Sequence, residues 1–261
     1  MRTLDAILNS TRTGLPALQA RQAELHRRAA DRPSPPDFAT ALRRRNVALI
    51  AEVKRRSPSA GAINEGLDPA VLAGAYENGG AAAISVLTDT AFFGGSMADL
   101  DSVVATVRVP VIRKDFILDE SQVVEARAAG AAAVLLIVRV LEQPVLQRLL
   151  EFARSSGLEA LVETHNATEV RRAVDAGARV IGVNARDLDT FTINTVEAWR
   201  LIEHVPADCI AVAESGMASA ADVSAAAHAG ADAVLIGSAL ARAGDPVTEA
   251  RRLSGILRRG R

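Results

Sequence analysis

Four times in this chain a glycine–alanine pair opens a short run that ends in valine or isoleucine: GAAAI at Gly80, GAAAV at Gly130, GARVI at Gly177 and GADAV at Gly230. The steps are about fifty residues, and each phrase follows an amphipathic stretch. A glycine there suits the left-handed end of a helix, and the residues after it start a strand. A repeat of this kind fixes the architecture before any single residue does. Each period must hold two strand–helix pairs, because further apolar runs lie between the phrases. The full set is VALIAEV (47–53), AAISVL (82–87), VPVI (109–112), AVLLIV (133–138), EALVE (159–163), RVIGVN (179–184), IAVAE (210–214) and AVLIG (233–237). Helices are expected over 68–78, 97–107, 120–129, 143–155, 168–176, 195–204, 218–228 and 245–257.

Short, nearly continuous apolar strands alternating with helices indicate a parallel sheet covered by helices. Eight such units match the α/β class, as a (β/α)8 TIM barrel whose four-fold phrase marks a two-strand unit. An open doubly wound sheet needs no four-fold period, and no G-x-G-x-x-G follows the first strand. Residues 1–46 are expected to form an N-terminal helical extension packed on the barrel of residues 47–261. LDAILNSTRTGLPALQARQAELHRRAA reads as one or two helices, DRPSPPD as a break and FATALRR as another short helix. The segment is too short for a core of its own.

Composition narrows the function classes. A formal net charge of −1 over 261 residues leaves no electrostatic footprint for nucleic acid or an anionic membrane, so neither is expected as a partner. The basic runs ALRRR (41–45) and RRGR read as solvated helix faces or ends. The single cysteine, Cys209, excludes an intrachain disulfide framework and fits a reducing, cytoplasmic compartment. It reads as a small buried hydrophobe. The first residues lack a signal-peptide core, and no apolar run approaches the ~20 residues of a membrane span. His26, His165, His204 and His228 have no metal-ligand spacing, so no metal is expected.

In a barrel of this kind the active site lies at the C-terminal ends of the strands. Several strands end in polar residues of one parity, and alternation sends residues i and i+2 to the same face. Glu52 and Lys54 end the first strand. Lys114 is in phase with Ile112 beyond the third, while its neighbours Arg113 and Asp115 are expected to point away. Glu163 is in phase with Leu161, Asn184 and Arg186 end the sixth strand, and Glu214 is in phase with Val212. Six ionisable groups and an amide thus converge from five strands. Mixed neighbours of this sort pair locally and shift lysine and carboxylate protonation, the usual setting for acid–base chemistry.

The last two strands add a different signature. ESG (214–216) and GSAL (237–240) put Ser215, Gly216, Gly237 and Ser238 where such barrels commonly bind phosphate. Small residues there let backbone N–H groups approach an anion. Ser57, after the first strand, can add a hydroxyl. Phe92 and Phe93 follow the second strand and Phe116 follows Lys114, while Leu135 and Ile137 offer an uncharged wall for a flat ring. The expected ligand is a small phosphorylated molecule with an apolar or aromatic group at its other end. The loop 55–69, with its glycines and prolines, is expected to close over the site.

The phrases AEVKRRSPSAG, LTDTAFFGGS, RKDFI, LLIV, LVETHN, IGVNARDLDTF, AESGM and VLIGSALA occur in the order and spacing of a known family. Over roughly residues 40–245 the chain resembles the indole-3-glycerol phosphate synthases of tryptophan biosynthesis. The N-terminal extension is similar too. Some members place a tryptophan there against the substrate; here the only tryptophan is Trp199, on a late helix, so that contact must be replaced or absent. The resemblance implies cofactor-free ring closure, decarboxylation and dehydration of 1-(2-carboxyphenylamino)-1-deoxyribulose 5-phosphate. It makes Lys114 the general acid of ring closure, with Asn184, Arg186 and Glu214 holding hydroxyls and carboxylate and orienting Lys114. Lys54 is then the second acid or a phosphate contact, and either Glu163 or Glu52 the base. A monomer is expected, able to associate with other enzymes of the tryptophan pathway.

Other readings have separable signatures. Phosphoribosylanthranilate isomerase, also a phosphate-binding barrel, relies on a cysteine near the end of strand one, where this chain carries Glu52 and Lys54. A Schiff-base aldolase would use Lys114 as nucleophile. A non-catalytic phosphate-ligand binder would lose charges that this chain keeps.

Overall fold

The computed structural model describes residues 3–58, 61–64 and 66–260. Eight parallel strands close into a barrel: β1 (Ala48–Val53), β2 (Ala83–Leu87), β3 (Val111–Lys114), β4 (Ala133–Ile137), β5 (Glu159–Thr164), β6 (Val180–Asn184), β7 (Ile210–Glu214) and β8 (Ala233–Ile236). Each strand pairs with its sequence neighbours, and β8 closes on β1 through the register Ile50 to Leu235. The helices are α1 (Thr3–Gln19), α2 (Gln22–Asp31), α3 (Phe38–Leu42), α4 (Pro69–Asn78), α5 (Thr90–Phe93), α6 (Met97–Thr106), α7 (Glu120–Ala129), α8 (Gln143–Ser155), α9 (Ala167–Asp175), α10 (Thr195–Ile202), α11 (Ala220–His228), α12 (Ser238–Ala241) and α13 (Pro246–Ser254). The barrel expected from the four-fold phrase is therefore present. Gly80, Gly130, Gly177 and Gly230 all take positive φ, between 83° and 96°, as the helix-end reading requires.

Alternation divides the apolar residues into two cores. Ile50, Ile112, Leu135, Leu161, Val180, Val212 and Leu235 point inward and fill the barrel. Val86, Val134, Leu136, Val162, Ile181 and Val234 point outward and pack against the helices. The inner set also takes in Leu4, Ile7 and Leu8 of α1 and Phe38 and Leu42 of α3, so the N-terminal helices bury apolar faces against the barrel. Leu25 of α2 packs with Val124 and Ala128 of α7. Among the described residues no helix is long and apolar enough to cross a membrane.

The third strand differs from its expected bounds of 109–112. It begins at Val111 and carries Arg113 and Lys114 as strand residues, paired with Val86 and Leu87 of β2. Charge does not end this strand, because both side chains find partners on their own sides of the sheet. Arg113 faces away from the barrel as expected, yet it is only 5% exposed. Its guanidinium donates to Thr88 Oγ1 at 3.2 Å, the Gln122 carbonyl at 2.8 Å and Asp115 Oδ2 at 3.1 Å, and pairs with Glu125 at 2.9 Å. The loop after β1 holds a short antiparallel pairing of Arg56–Ser57 with Gly61–Ala62. Arg55 ties it to Gly94 and Asp99, and Arg56 to the Thr90 and Ala91 carbonyls. The closure expected of segment 55–69 involves residues 59, 60 and 65, which lie outside the described residues.

Candidate active site

The C-terminal mouth of the barrel opens into a cavity of about 620 Å³, within the range of small-molecule sites. Its charged floor follows from register. Glu52 lies opposite Ser85, Glu163 opposite Gly182, and Asn184 opposite Glu214, so the last inward positions of β1, β5, β6 and β7 stand around Lys114 of β3. Lys114 Nζ is 3.7 Å from Glu163 Oε2, 3.8 Å from Glu214 Oε2 and 4.0 Å from Glu52 Oε2. Lys54 Nζ pairs with the other Glu52 oxygen at 2.7 Å.

Two glycines make room for this cluster. A Cβ on Gly182 would stand 2.0 Å from Glu214 Oε1, and one on Gly237 would stand 2.3 Å from Glu52 Oε1. Both carboxylates therefore lie flat against neighbouring strands that lack a side chain at that point. That close approach is a requirement for glycine that the apolar runs RVIGVN and AVLIG do not advertise.

Burial and charge set the protonation states. Burial disfavours a charged Lys114, but Glu163, Glu214 and Glu52 outweigh it and hold the ammonium well above the ordinary lysine range. Burial would likewise raise Glu163; Lys114, His165 and the Asn184 side chain reverse that and bring it down to about 2. For Glu52, Lys54 and Lys114 overcome burial and hold the carboxyl below its usual range. Glu214 goes the other way. Burial, then Glu163, push it up to about 8 against the pull of Lys114, and neither of its oxygens has a hydrogen-bond partner. At neutral pH the floor therefore holds two carboxylates and one carboxylic acid around one ammonium.

All but one of the residues expected at the site from sequence line this one cavity. Phe93 and Phe116 meet on one side with ring centroids 6.4 Å apart, and Leu135 and Ile137 continue the apolar wall. Ser57, Arg186, Ser215, Gly216, Gly237 and Ser238 surround the other side. Ser215 and Gly216 both take positive φ, 66° and 80°, and small residues at this turn leave room for an anion to reach backbone N–H groups. A non-glycine residue in that region is uncommon, and the strain at Ser215 falls where an anion would repay it. Phe92, also considered from sequence, packs at the rim against the inner core and does not line the cavity. Asp115 does line it, contrary to the expectation that it points away; its Oδ2 accepts from Thr88 and Arg113.

Sequence reasoning missed the contributions of α1 and of the loop after β6. Leu4 and Ile7 of α1 line the cavity and supply apolar surface. Trp199 is half-buried on α10, packed against the outer core. Leu188, Phe191 and Ile193 add apolar surface from the loop after β6. The amphipathic pattern of 4–30 signals a buried face but not which surface it meets.

The family model for indole-3-glycerol phosphate synthase matches residues 4–253 of this chain. The indole-3-glycerol phosphate synthase 1 of Streptomyces coelicolor is 52% identical over 250 residues, covering 95% of this chain and 93% of that protein. The indole-3-glycerol phosphate synthase of Mycolicibacterium vanbaalenii is 51% identical over 245 residues, covering 93% and 90% respectively. Among solved structures, 3-hexulose-6-phosphate synthase from Salmonella typhimurium is similar with a TM-score of 0.63 over 80% of this chain and 97% of that one. At 18% identity that likeness speaks for the barrel fold alone. With a family match across the whole barrel, about half of the residues identical to named relatives, and a charged floor between an apolar wall and an anion nest, this chain belongs to the indole-3-glycerol phosphate synthase family.

Proposed function

We propose that this chain converts 1-(2-carboxyphenylamino)-1-deoxyribulose 5-phosphate to indole-3-glycerol phosphate, carbon dioxide and water, acting as a carboxy-lyase. The observation that carries the mechanism is Lys114 Nζ standing 3.7–4.0 Å from three buried carboxyl groups, between the aromatic wall and the anion nest. The aryl ring lies against Phe93, Phe116, Leu135 and Ile137, and the phosphate on the N–H groups near Ser215–Gly216 and Gly237–Ser238. Ser57 and Arg186 hold the chain between them. The ring carbon bearing the carboxylate attacks the ketone carbon, and the carbonyl oxygen takes a proton from Lys114. A lysine held this firmly protonated gives up its proton only to a strongly basic oxygen, which is what the ketone becomes as the new carbon–carbon bond forms. Loss of carbon dioxide returns the bonding pair to the ring and restores its aromaticity. The new hydroxyl then leaves as water with a proton from a second acid, while a base removes the proton whose loss completes the indole.

The protonation states favour Glu163 as that base over Glu52. Lys114 is the strongest influence opposing the burial that would protonate Glu163. Once Lys114 has given its proton away that influence disappears and Glu163 becomes more basic. Glu52 still has its close partner Lys54 when Lys114 has given its proton away. Lys54, between Glu52 and Gly237, is suited to act as the second acid at the phosphate side. Glu214, protonated, and Asn184 donate to substrate oxygens. A Schiff-base role for Lys114 requires a neutral amine, and three carboxyl groups oppose it. The enzyme is proposed to be a cytoplasmic monomer acting on a small phosphorylated substrate, free to associate with neighbouring enzymes of its pathway. Purified chain mixed with the carboxyphenylamino substrate should develop indole fluorescence without added metal or cofactor, and borohydride should trap no adduct. Substrate binding without indole formation would overturn the reading.

A further inference from the structure

Glu163 divides its two oxygens between two cations. Oε2 faces Lys114 inside the mouth at 3.7 Å, and Oε1 lies 3.3 Å from Nε2 of His165, the residue just beyond β5. The other ring nitrogen, Nδ1, is 3.1 Å from Glu169 Oε2 on α9, and the His165 backbone N–H donates to that same oxygen at 2.8 Å. Glu169 is fixed in turn: Oε1 accepts from Asn166 Nδ2 at 2.9 Å, and its backbone N–H donates to Asn166 Oδ1 at 2.9 Å. The result is a chain of four groups, Glu169, His165, Glu163 and Lys114, running from a helix into the reaction centre.

An imidazole with a carboxylate at each nitrogen has nothing to accept from, so both nitrogens carry protons and the ring is a cation. The charged groups around it agree. Glu163 faces it from β5 and Glu169 from α9, while Asp187, Asp189 and Glu197 share a second cavity with it, where Arg139 pairs with the first two. Burial would push the ring down, but Glu163 and Glu169 outweigh that and hold it up at about 9. The second cavity, about 690 Å³, lies behind the loop that follows β6. Asn184 lines both cavities, and His165 lines the second, its side chain only 7% exposed. His165 is therefore approachable from a side that substrate does not occupy.

We propose that His165, clamped as a cation by Glu169, is a positioning residue that keeps Glu163 ionised and turns its free oxygen toward Lys114 and the substrate. The proposal rests on Glu163 being the base of the proposed reaction. A ring that merely anchored the start of α9 would affect stability and leave the chemistry alone. The 3.3 Å contact of Nε2 with Glu163 is an ion-pair contact and falls outside hydrogen-bond geometry.

The test compares wild type, His165→Asn, His165→Ala and Glu169→Gln in the indole assay. His165→Asn should lose about tenfold to a hundredfold in kcat, part of the 10²–10⁴ that a placed acid–base group contributes, with KM within about threefold. Glu169→Gln, which keeps an oxygen for the cap, should lose less and in the same parameter. Imidazole added to His165→Ala should restore turnover, and restoration should fall at the pKa of whichever imidazole is supplied, because the cation is the active form. An unchanged kcat in His165→Asn, or rescue indifferent to the pKa of the added imidazole, would overturn the proposal. Carboxylate NMR gives a readout independent of turnover: Glu163 should titrate well below the usual carboxylate range in wild type and higher in His165→Asn. If wild type formed no indole, the proposed reaction would fall and this titration alone would judge the link between His165 and Glu163. An unmoved titration would reject that link.

Discussion

Arg113 and Lys114 are adjacent cations on one strand, both surrounded by acids, and they do opposite things. Arg113 faces the helices and is saturated: Thr88, Asp115, Glu125 and the Gln122 carbonyl all lie 2.8–3.2 Å away. Lys114 faces the cavity, and its carboxyl neighbours all stand back at 3.7–4.0 Å. A charge with a close partner at every nitrogen holds structure together. A charge ringed by acids at a distance has room for another atom and a proton still to give. Burial does not tell them apart, since Arg113 at 5% is the more buried of the two, with the Lys114 side chain at 15%. Completeness of hydrogen bonding does.

Exchanging the two deletions breaks or sharpens that contrast. Lys114→Ala carries the largest effect. It should lower kcat by about 10²–10⁴-fold while a substrate analogue still binds and the melting temperature changes little. Stopped assays for turnover, with calorimetry for binding and melting, check both halves. Arg113→Met should do the reverse. Leaving Asp115, Glu125 and the Gln122 carbonyl without their partner costs about 3–5 kcal/mol, read in denaturant titration or as a melting point lower by roughly 10 °C. Turnover measured where the variant remains folded should stay within a few-fold of wild type. If Arg113→Met matched Lys114→Ala in lost turnover while keeping its stability, the division between saturated and open cations would be wrong.

That division also explains what could be read from sequence. Lys114, Glu163, Glu214 and the Glu52–Lys54 pair were legible because alternation along a strand and the strand's C-terminal end are both one-dimensional facts. The barrel was legible through the glycines that end its helices. Alternation alone turns Arg113 away from the barrel, but nothing in RKDFI says that Glu125 and the Gln122 carbonyl of α7 wait for it. Leu4 and Ile7 reach the mouth only because α1 docks across it, and docking depends on surfaces distant in the chain. Phe92 and Phe93 differ only through the turn of α5, whose Asp89 cap aims one ring inward and leaves the other at the rim. His165 in LVETHN has no metal-ligand spacing, and its partner Glu169 belongs to the following helix, so the sequence phrase alone carries no signal of its role.

The smallest expected effect tests the one acid on the floor that is out of step with its neighbours. Glu214 is pushed up to about 8, chiefly by burial and then by Glu163. Below that pH it is protonated, uncharged and able to donate. As pH rises through about 8 it ionises, loses the donor and adds a further negative charge beside Glu163. Wild-type kcat/KM should therefore fall with a one-proton limb near 8, ahead of the limb near 9 expected from His165. Glu214→Gln keeps a neutral donor of the same shape at every pH. At pH 7 its kcat should lie within a few-fold of wild type, and the limb near 8 should vanish while the one near 9 stays. Loss of turnover as deep as in Lys114→Ala would mean that Glu214 works as a carboxylate, and the floor would then hold three anions around one ammonium rather than two anions and an acid.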